Sequence, residues 1–478
     1  MEKKFISDYL KIAASKYGDR DFLICNDRTL SWSEAYEESN FVASFIAQQL
    51  KSRQQKIIGI LLPDSWQFVV SYFGVVTSGN VAMPLDITFK KLELDYLASA
   101  IKPEFVIVNR QTQHLIDGPA VLIEDILLNK STFALPSYGL PPGEQIATLF
   151  FSSGTTGKPK PIPNTHTNQI WDVSALSSPM GWTEKDSLLI TLHLAHRHGL
   201  VICLLGAVYH GNKVYLEERF NAHKALQILS SGKVSLYSAV PTIFSKLIEE
   251  GANQKFDLSV VRLFASSSSA LSPALQREFK VRYGHTILDR YGTSETGSIA
   301  IKNGDGDETF GELLDGVQIR LEKGGEVALK SPGLFPGYFN NAGATKKNMT
   351  PDGWWLTGDI GELKRGKLIL KGRTKEKISK AGYSIFPQDI EWGLHQAPGV
   401  EEVKVIGLPN SSDEYIAQDK VVAFFTGSAP EGQVKQFSSL NLPRSWRPDV
   451  FVKLEKIPKT ANGKPRLAEL KSLGEKSI

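Results

Sequence analysis

The chain has 478 residues, 41% of them hydrophobic and 22% charged, with a formal net charge of +4 from 55 basic and 51 acidic residues. That length implies two or three compact units, and the composition excludes a disordered, collagen-like or coiled-coil chain. The near balance of charge excludes the basic footprint of a nucleic-acid binder. Cys25 and Cys203 form neither a metal-ligand spacing nor a disulfide framework, which fits a reducing, cytoplasmic compartment.

The N-terminal MEKKFISDYLKIAASKYG reads as an amphipathic helix, because Asp8 and Lys11 interrupt any apolar core that a signal peptide would need. SWSEAYEESNFVASFIAQQL has helical spacing with Ser31 or Ser33 as a cap. KIIGILL and EFVIV read as buried strands around a buried helix, WQFVVSYFGVV, which is too short to span a bilayer. The same alternation resumes in LLITL, KVYL, VSLYSAV and VRLFASS. It predicts α/β layers with mostly parallel sheets. From about Gly311 short strands joined by glycine turns take over, predicting a small antiparallel barrel or sheet. The last hundred or so residues read as a small α+β unit, with GRTKEK (Gly372–Lys377) as the boundary.

Between the strand ATLFFSS and the following segment lies a run of hydroxyls and glycines: Ser152, Ser153, Gly154, Thr155, Thr156, Gly157 and Lys158. Glycines let a backbone approach a ligand closely. Hydroxyls and one ammonium suit an anion with many oxygens, such as a triphosphate. A mobile surface loop is the competing reading of this stretch alone. It is not a Walker A loop, since only two residues separate Gly154 from Gly157 and Pro159 follows Lys158.

SSGTTGKPK resembles the phosphate-loop signature of the adenylate-forming (AMP-binding) superfamily, which includes acyl-CoA synthetases, peptide-synthetase adenylation domains and firefly-type luciferases. YGTSETG (291–297), GWWLTGDIG (353–361), GRTKEKISKAGYSIFPQDIE (372–391) and PKTANGKPRL (458–467) follow in the family's order. The resemblance implies a large multi-sheet α/β N-terminal domain over 1–372. A small β-barrel subdomain would lie at 311–372, and a smaller mobile α+β C-terminal domain over 376–478, with a hinge near Lys375. It also implies an ATP-dependent ligase that adenylates a carboxylic acid, fatty or aromatic, and transfers the acyl group to CoA. ATP, Mg²⁺ and CoA are the implied cofactors and co-substrates. The thiol could instead belong to an acyl-carrier protein, which would make the chain a stand-alone adenylation enzyme for acyl or aminoacyl groups. A non-catalytic nucleotide-binding regulator is a third possibility, disfavoured by the retained catalytic groups. Oligomeric state is left open.

By the same resemblance Ser152 to Lys158 close over the phosphates, and Glu295 is the magnesium-binding acid, with Thr155 as a weaker ligand. Tyr291 stacks on adenine beside Gly292 and Ser294. Asp359 accepts the ribose hydroxyls with Arg373 near it. Lys464 is the mobile catalytic lysine of the adenylation step, and Gly382 lets the pantetheine arm pass. In LHLAHRHGL the gating residue is His196, with His193 or His198 as the alternatives. The three histidines have no companion acid in sequence, so they do not read as a metal site. Arg197 is expected in solvent, with a second carboxylate on the substrate as its other possible partner. Ser267 and Ser268 stand where small glycines are usual, which implies a narrower and more polar pocket floor.

Overall fold

The structure is a computed structural model that describes residues 4–26, 28–50, 54–89, 91–130, 143–152, 160–252, 254–269, 271, 273–302, 310–373, 376, 378–380, 383–385, 387–409, 419–460 and 463–478. Two α/β sheets dominate it. The larger has nine strands in the order 312–313, 297–302, 287–293, 263–266, 236–239, 187–190, 213–216, 21–25, 28–31. Its central members run parallel, with Tyr237 opposite Phe264 and Phe264 opposite Ile287. The second sheet has six strands in the order 120–122, 105–108, 57–61, 81–84, 146–152, 160–165, parallel except for the last.

The strands predicted from buried apolar runs are there because both faces are covered. Phe105–Val108 and Val81–Pro84 are buried at every position, as parallel strands between helical layers must be. The helix Trp66–Thr77 is buried along nine consecutive residues, and Ser65 caps its start by accepting from the Phe68 amide. Helix Ile6–Tyr17 is the amphipathic segment expected at the start. Among the described residues no helix is long and apolar enough to cross a membrane.

The β-rich segment forms a four-stranded antiparallel sheet of Gln318–Leu321, Glu326–Lys330, Trp355–Lys364 and Lys367–Arg373. Beyond it, a sheet of Val403–Pro409, Asp419–Phe425 and Val450–Lys453 packs with helices Pro387–Leu394 and Glu431–Asn441. The buried apolar side chains divide accordingly. Two clusters draw only on residues 6–368 and two only on residues 378–470, so each part has a core of its own.

The two parallel sheets matter for function because their strands' carboxyl ends come together. Ligands in open α/β sheets bind in crevices at such ends. Asp64 and Asp86 follow two strands of the six-stranded sheet, and the histidine-rich segment follows a strand of the nine-stranded one. That segment runs directly into a π-helix, His198–Leu205, buried at every residue. Wide helical turns of this kind are frequent at functional sites.

Candidate active site

The residues of YGTSETG form the turn of a hairpin between Ile287–Thr293 and Gly297–Lys302. A bulge falls between Tyr291 and Gly292, and a Cβ on Gly292 would lie 2.3 Å from the Gly297 carbonyl oxygen. Only glycine fits there. Thr293 and Thr296 hold the turn by exchanging hydrogen bonds, the Thr293 amide donating to Thr296 Oγ1 at 3.1 Å. The turn thereby presents Glu295, half-buried, on a short rigid support.

Asp359 lies across from this hairpin, 5% exposed. Its Oδ2 accepts from the Tyr291 hydroxyl at 2.5 Å and its Oδ1 from Arg373 Nε at 3.0 Å. Burial pushes the Asp359 carboxyl up, while Arg373 and Tyr291 pull against that. Burial and the Asp359 charge push the Tyr291 hydroxyl far above its ordinary value, so it stays a donor. Tyr291 therefore orients the carboxylate, and its ring packs against Phe310 with centroids 5.6 Å apart.

Glu295 Oε1 accepts from the Tyr338 hydroxyl at 3.0 Å. Opposite it comes the C-terminal segment. Gly463 has φ +75° in a turn closed by its amide on the Thr460 carbonyl at 2.9 Å. A Cβ there would meet Thr242 Oγ1 at 2.6 Å, so the turn sits against the large α/β part. Lys464, next in sequence, is reached by solvent yet lies in a cleft walled by protein on most sides. That crowding and the neighbouring Arg373 lower its ammonium's pKa, and Glu295 opposes the shift. Lys464, Arg373, Asp359, Tyr291, Ser294, Gly292 and Glu295 thus occupy one cleft, although Lys464 and Gly292 are most of two hundred residues apart. An ammonium beside a guanidinium is stabilised by an anion, and a phosphate is the anion such a cleft takes.

Magnesium fits this donor set. Mg²⁺ keeps several waters and is held by one or two carboxylates plus substrate phosphates, and Glu295 supplies one such carboxylate. Among the described residues no group of three His, Cys, Asp or Glu side chains converges. Thr155, the second predicted ligand, lies outside the described residues.

The histidine segment lines the other side. His196 Nε2 meets Asp86 Oδ2 at 2.9 Å, and His193 Nδ1 meets Asp64 Oδ2 at 2.8 Å. Asp64 Oδ1 also accepts from the Leu194 amide at 2.7 Å. The acids absent from the local sequence come from the other sheet, so these pairs tie the two sheets together. Burial opposes ionisation of Asp86, but His196 and Thr88 outweigh it and hold its carboxyl well below the usual range. The bond to Asp64 raises His193, against burial. His198 is buried, with Nε2 2.8 Å from Ser238 Oγ and Nδ1 3.3 Å from Ser268 Oγ. Burial and Arg290 hold it neutral. Ser268 adopts φ +75°, a region that favours glycine, and Ser267 Oγ donates to the Arg290 carbonyl at 2.9 Å.

Arg197 overturns an expectation. It is 7% exposed instead of facing solvent, because Asp172, completely buried, draws it inward and pairs with its Nη1. Its Nε donates to Asn164 Oδ1 at 3.1 Å.

Of the other residues read from sequence, Ser152 ends the strand Ile146–Ser152. Ser153, Gly154, Thr155, Thr156, Gly157, Lys158, Lys375 and Gly382 lie outside the described residues. Sequence reasoning missed Asp64, Asp86, Asp172, Asn164, Tyr338 and Thr242. Asp64 and Asp86 carried a signal: each is an acid just past the end of a buried strand, in LLPD and MPLD.

A family model described as AMP-binding enzyme matches residues 10–339. The chain belongs to this family, and is an adenylate-forming ligase. It is similar to the 2-succinylbenzoate–CoA ligase of Listeria monocytogenes serotype 4b, at 29% identity over 92% of this chain and 94% of that protein. It is also similar to the mitochondrial malonate–CoA ligase of Mus musculus, at 28% identity over 96% and 89%. The fold matches that of ATP-bound MatB from Rhodopseudomonas palustris with a TM-score of 0.88, at 23% identity over 98% of each chain.

Proposed function

We propose that this chain activates a carboxylic acid with Mg-ATP and transfers the acyl group to CoA, using Asp359, Glu295 and Lys464. The observation that carries the reading is the convergence of a C-terminal lysine on Glu295, Arg373 and Asp359. The CoA ligases to which the chain is similar support the same chemistry.

Asp359, oriented by Tyr291 and Arg373, accepts the ribose hydroxyls. Lys464 lies between the substrate carboxylate and the α-phosphate. A carboxylate oxygen attacks the α-phosphorus, the bond to the bridging oxygen breaks, and pyrophosphate leaves with its electron pair. Lys464 and Arg373 stabilise the charge that develops, in a cleft where few waters compete. Glu295 holds the magnesium ion, which neutralises phosphate charge when bound. In the second half-reaction a thiolate sulfur attacks the acyl carbon and AMP departs. The hydroxyl- and glycine-rich run 152–158 is assigned to the outer phosphates, and Gly382 to the thiol's arm, from their sequence motifs.

Pyrophosphate–ATP exchange across an acid panel, followed by AMP release with and without CoA, tests this. Acid-dependent exchange and CoA-dependent thioester are expected. Exchange without CoA capture would transfer the reading to a carrier-protein thiol. No exchange with any acid would remove the ligase reading.

A further inference from the structure

Two arginines are buried close to the turn that carries Glu295. Arg197 and Arg290 are each 7% exposed, and both act electrostatically on Asp172, which is fully buried. Arg290 Nη1 donates to Ser298 Oγ at 2.7 Å, a neutral partner. The other acid nearby, Asp289, is pushed up to about 7 by burial and is shared with Lys302. Asp172 is the acid that both guanidiniums share. Buried charge of this kind is retained where something pairs with it.

Arg197 Nε and Nη1 are engaged by Asn164 and Asp172, but its Nη2 is buried with no hydrogen-bond partner among the described residues. That nitrogen lies 3.3 Å from where a Cβ on Gly297 would stand, at the foot of the turn that carries Glu295. The same turn is tied to Arg197 through Asn164, whose Nδ2 donates to the Ser294 carbonyl at 3.4 Å. On the adjoining side stand His198, Ser238 and Ser268, polar groups where an aliphatic tail would want apolar ones.

We propose that the acid activated here is short and carries a second carboxylate, which Arg197 Nη2 binds in the acyl pocket. This rests on the ligase reading above and narrows it. An acidic second group takes the bare edge of the guanidinium, and is short because that edge lies directly behind the Glu295 turn. Malonate and 2-succinylbenzoate, acted on by the two relatives named above, both have two carboxylates.

The test compares each diacid with its own half-amide, which keeps length and shape and removes one charge. Malonate, succinate and glutarate are paired with malonamate, succinamate and glutaramate in pyrophosphate exchange, together with acetate, propionate and butyrate. For at least one pair the diacid should exceed its half-amide in kcat/KM by about 10²-fold, the usual cost of leaving one partner of a buried charge pair alone. Arg197→Gln should bring that ratio to near unity, and Arg197→Lys should retain part of it. AMP binding by calorimetry establishes that each variant is folded. If neither variant folds, the wild-type ratio alone decides. Half-amides or monoacids that match or exceed the diacids would overturn the inference and leave the ligase reading standing. A diacid preference that survives Arg197→Gln would remove the role given to Arg197. Silence with all of these short acids, beside exchange with a longer fatty or aromatic acid, would overturn the inference and leave the ligase reading standing.

Discussion

Asp359 has Arg373 on one oxygen and Tyr291 on the other, while Arg197, behind the Glu295 turn, keeps one nitrogen without a partner among the described residues. The first arrangement has its protein partners in place, and its residues sit in the motifs YGTSETG, GWWLTGDIG and GRTKEK. The second leaves a donor unpaired among the described residues, and it rests on Asp172, Asn164 and Gly297, which are scattered along the chain. The shared chemistry is thus built from paired charges in motifs. The choice of acid, on the inference above, rests on a buried guanidinium nitrogen that only the fold reveals.

The contrast can be broken at several points. Lys464→Ala should have the largest effect, lowering acid-dependent pyrophosphate exchange by about 10²–10³-fold, the scale for losing one preorganised charge-stabilising donor. Asp359→Ala should weaken AMP binding in calorimetry by about 10²-fold, because the ribose loses its acceptor and Arg373 its partner. A smaller loss is expected for Tyr338→Phe, which removes the donor to Glu295 at a cost of about 1 kcal/mol. Its apparent Mg²⁺ requirement in the exchange assay should rise by about 5-fold, with AMP binding unaltered.

The smallest effect concerns pH. The folded His193 has a raised pKa, so the stability it draws from Asp64 is fully present below the unfolded value of about 6.5. It is lost as pH rises through the folded value. Wild type should therefore exceed Asp64→Asn in Tm by more at pH 6 than at pH 8.5. An equal difference at both would mean the pair contributes no titrating interaction.

These comparisons also mark what the sequence could convey. The strands KIIGILL and EFVIV were legible because a strand buried on both faces must be apolar throughout. Glu295, Asp359 and Lys464 were legible because motif order ties them to one chemistry. Arg197 was not, since nothing beside it in sequence announces Asp172 or Asn164, and an arginine among histidines looks like surface. The companions of His193 and His196 were hidden for the same reason, as they come from strand ends of a different sheet. Tyr291 was read as an adenine platform, and its hydroxyl's hold on Asp359 needed the fold to be seen.

The central claim is that the Lys464 turn, as it lies against the large α/β part, is in the arrangement that makes the acyl-adenylate. The contact of Gly463 with Thr242 allows a direct test. A Cβ at Gly463 would be 3.4 Å from that of Thr242, close to disulfide spacing, and the native Cys25 and Cys203 are both buried. A Thr242→Cys/Gly463→Cys protein should, once oxidised, still exchange pyrophosphate with ATP yet release no CoA thioester until a reductant is added. An oxidised protein that forms thioester at the reduced rate, or one that loses exchange, would contradict the account.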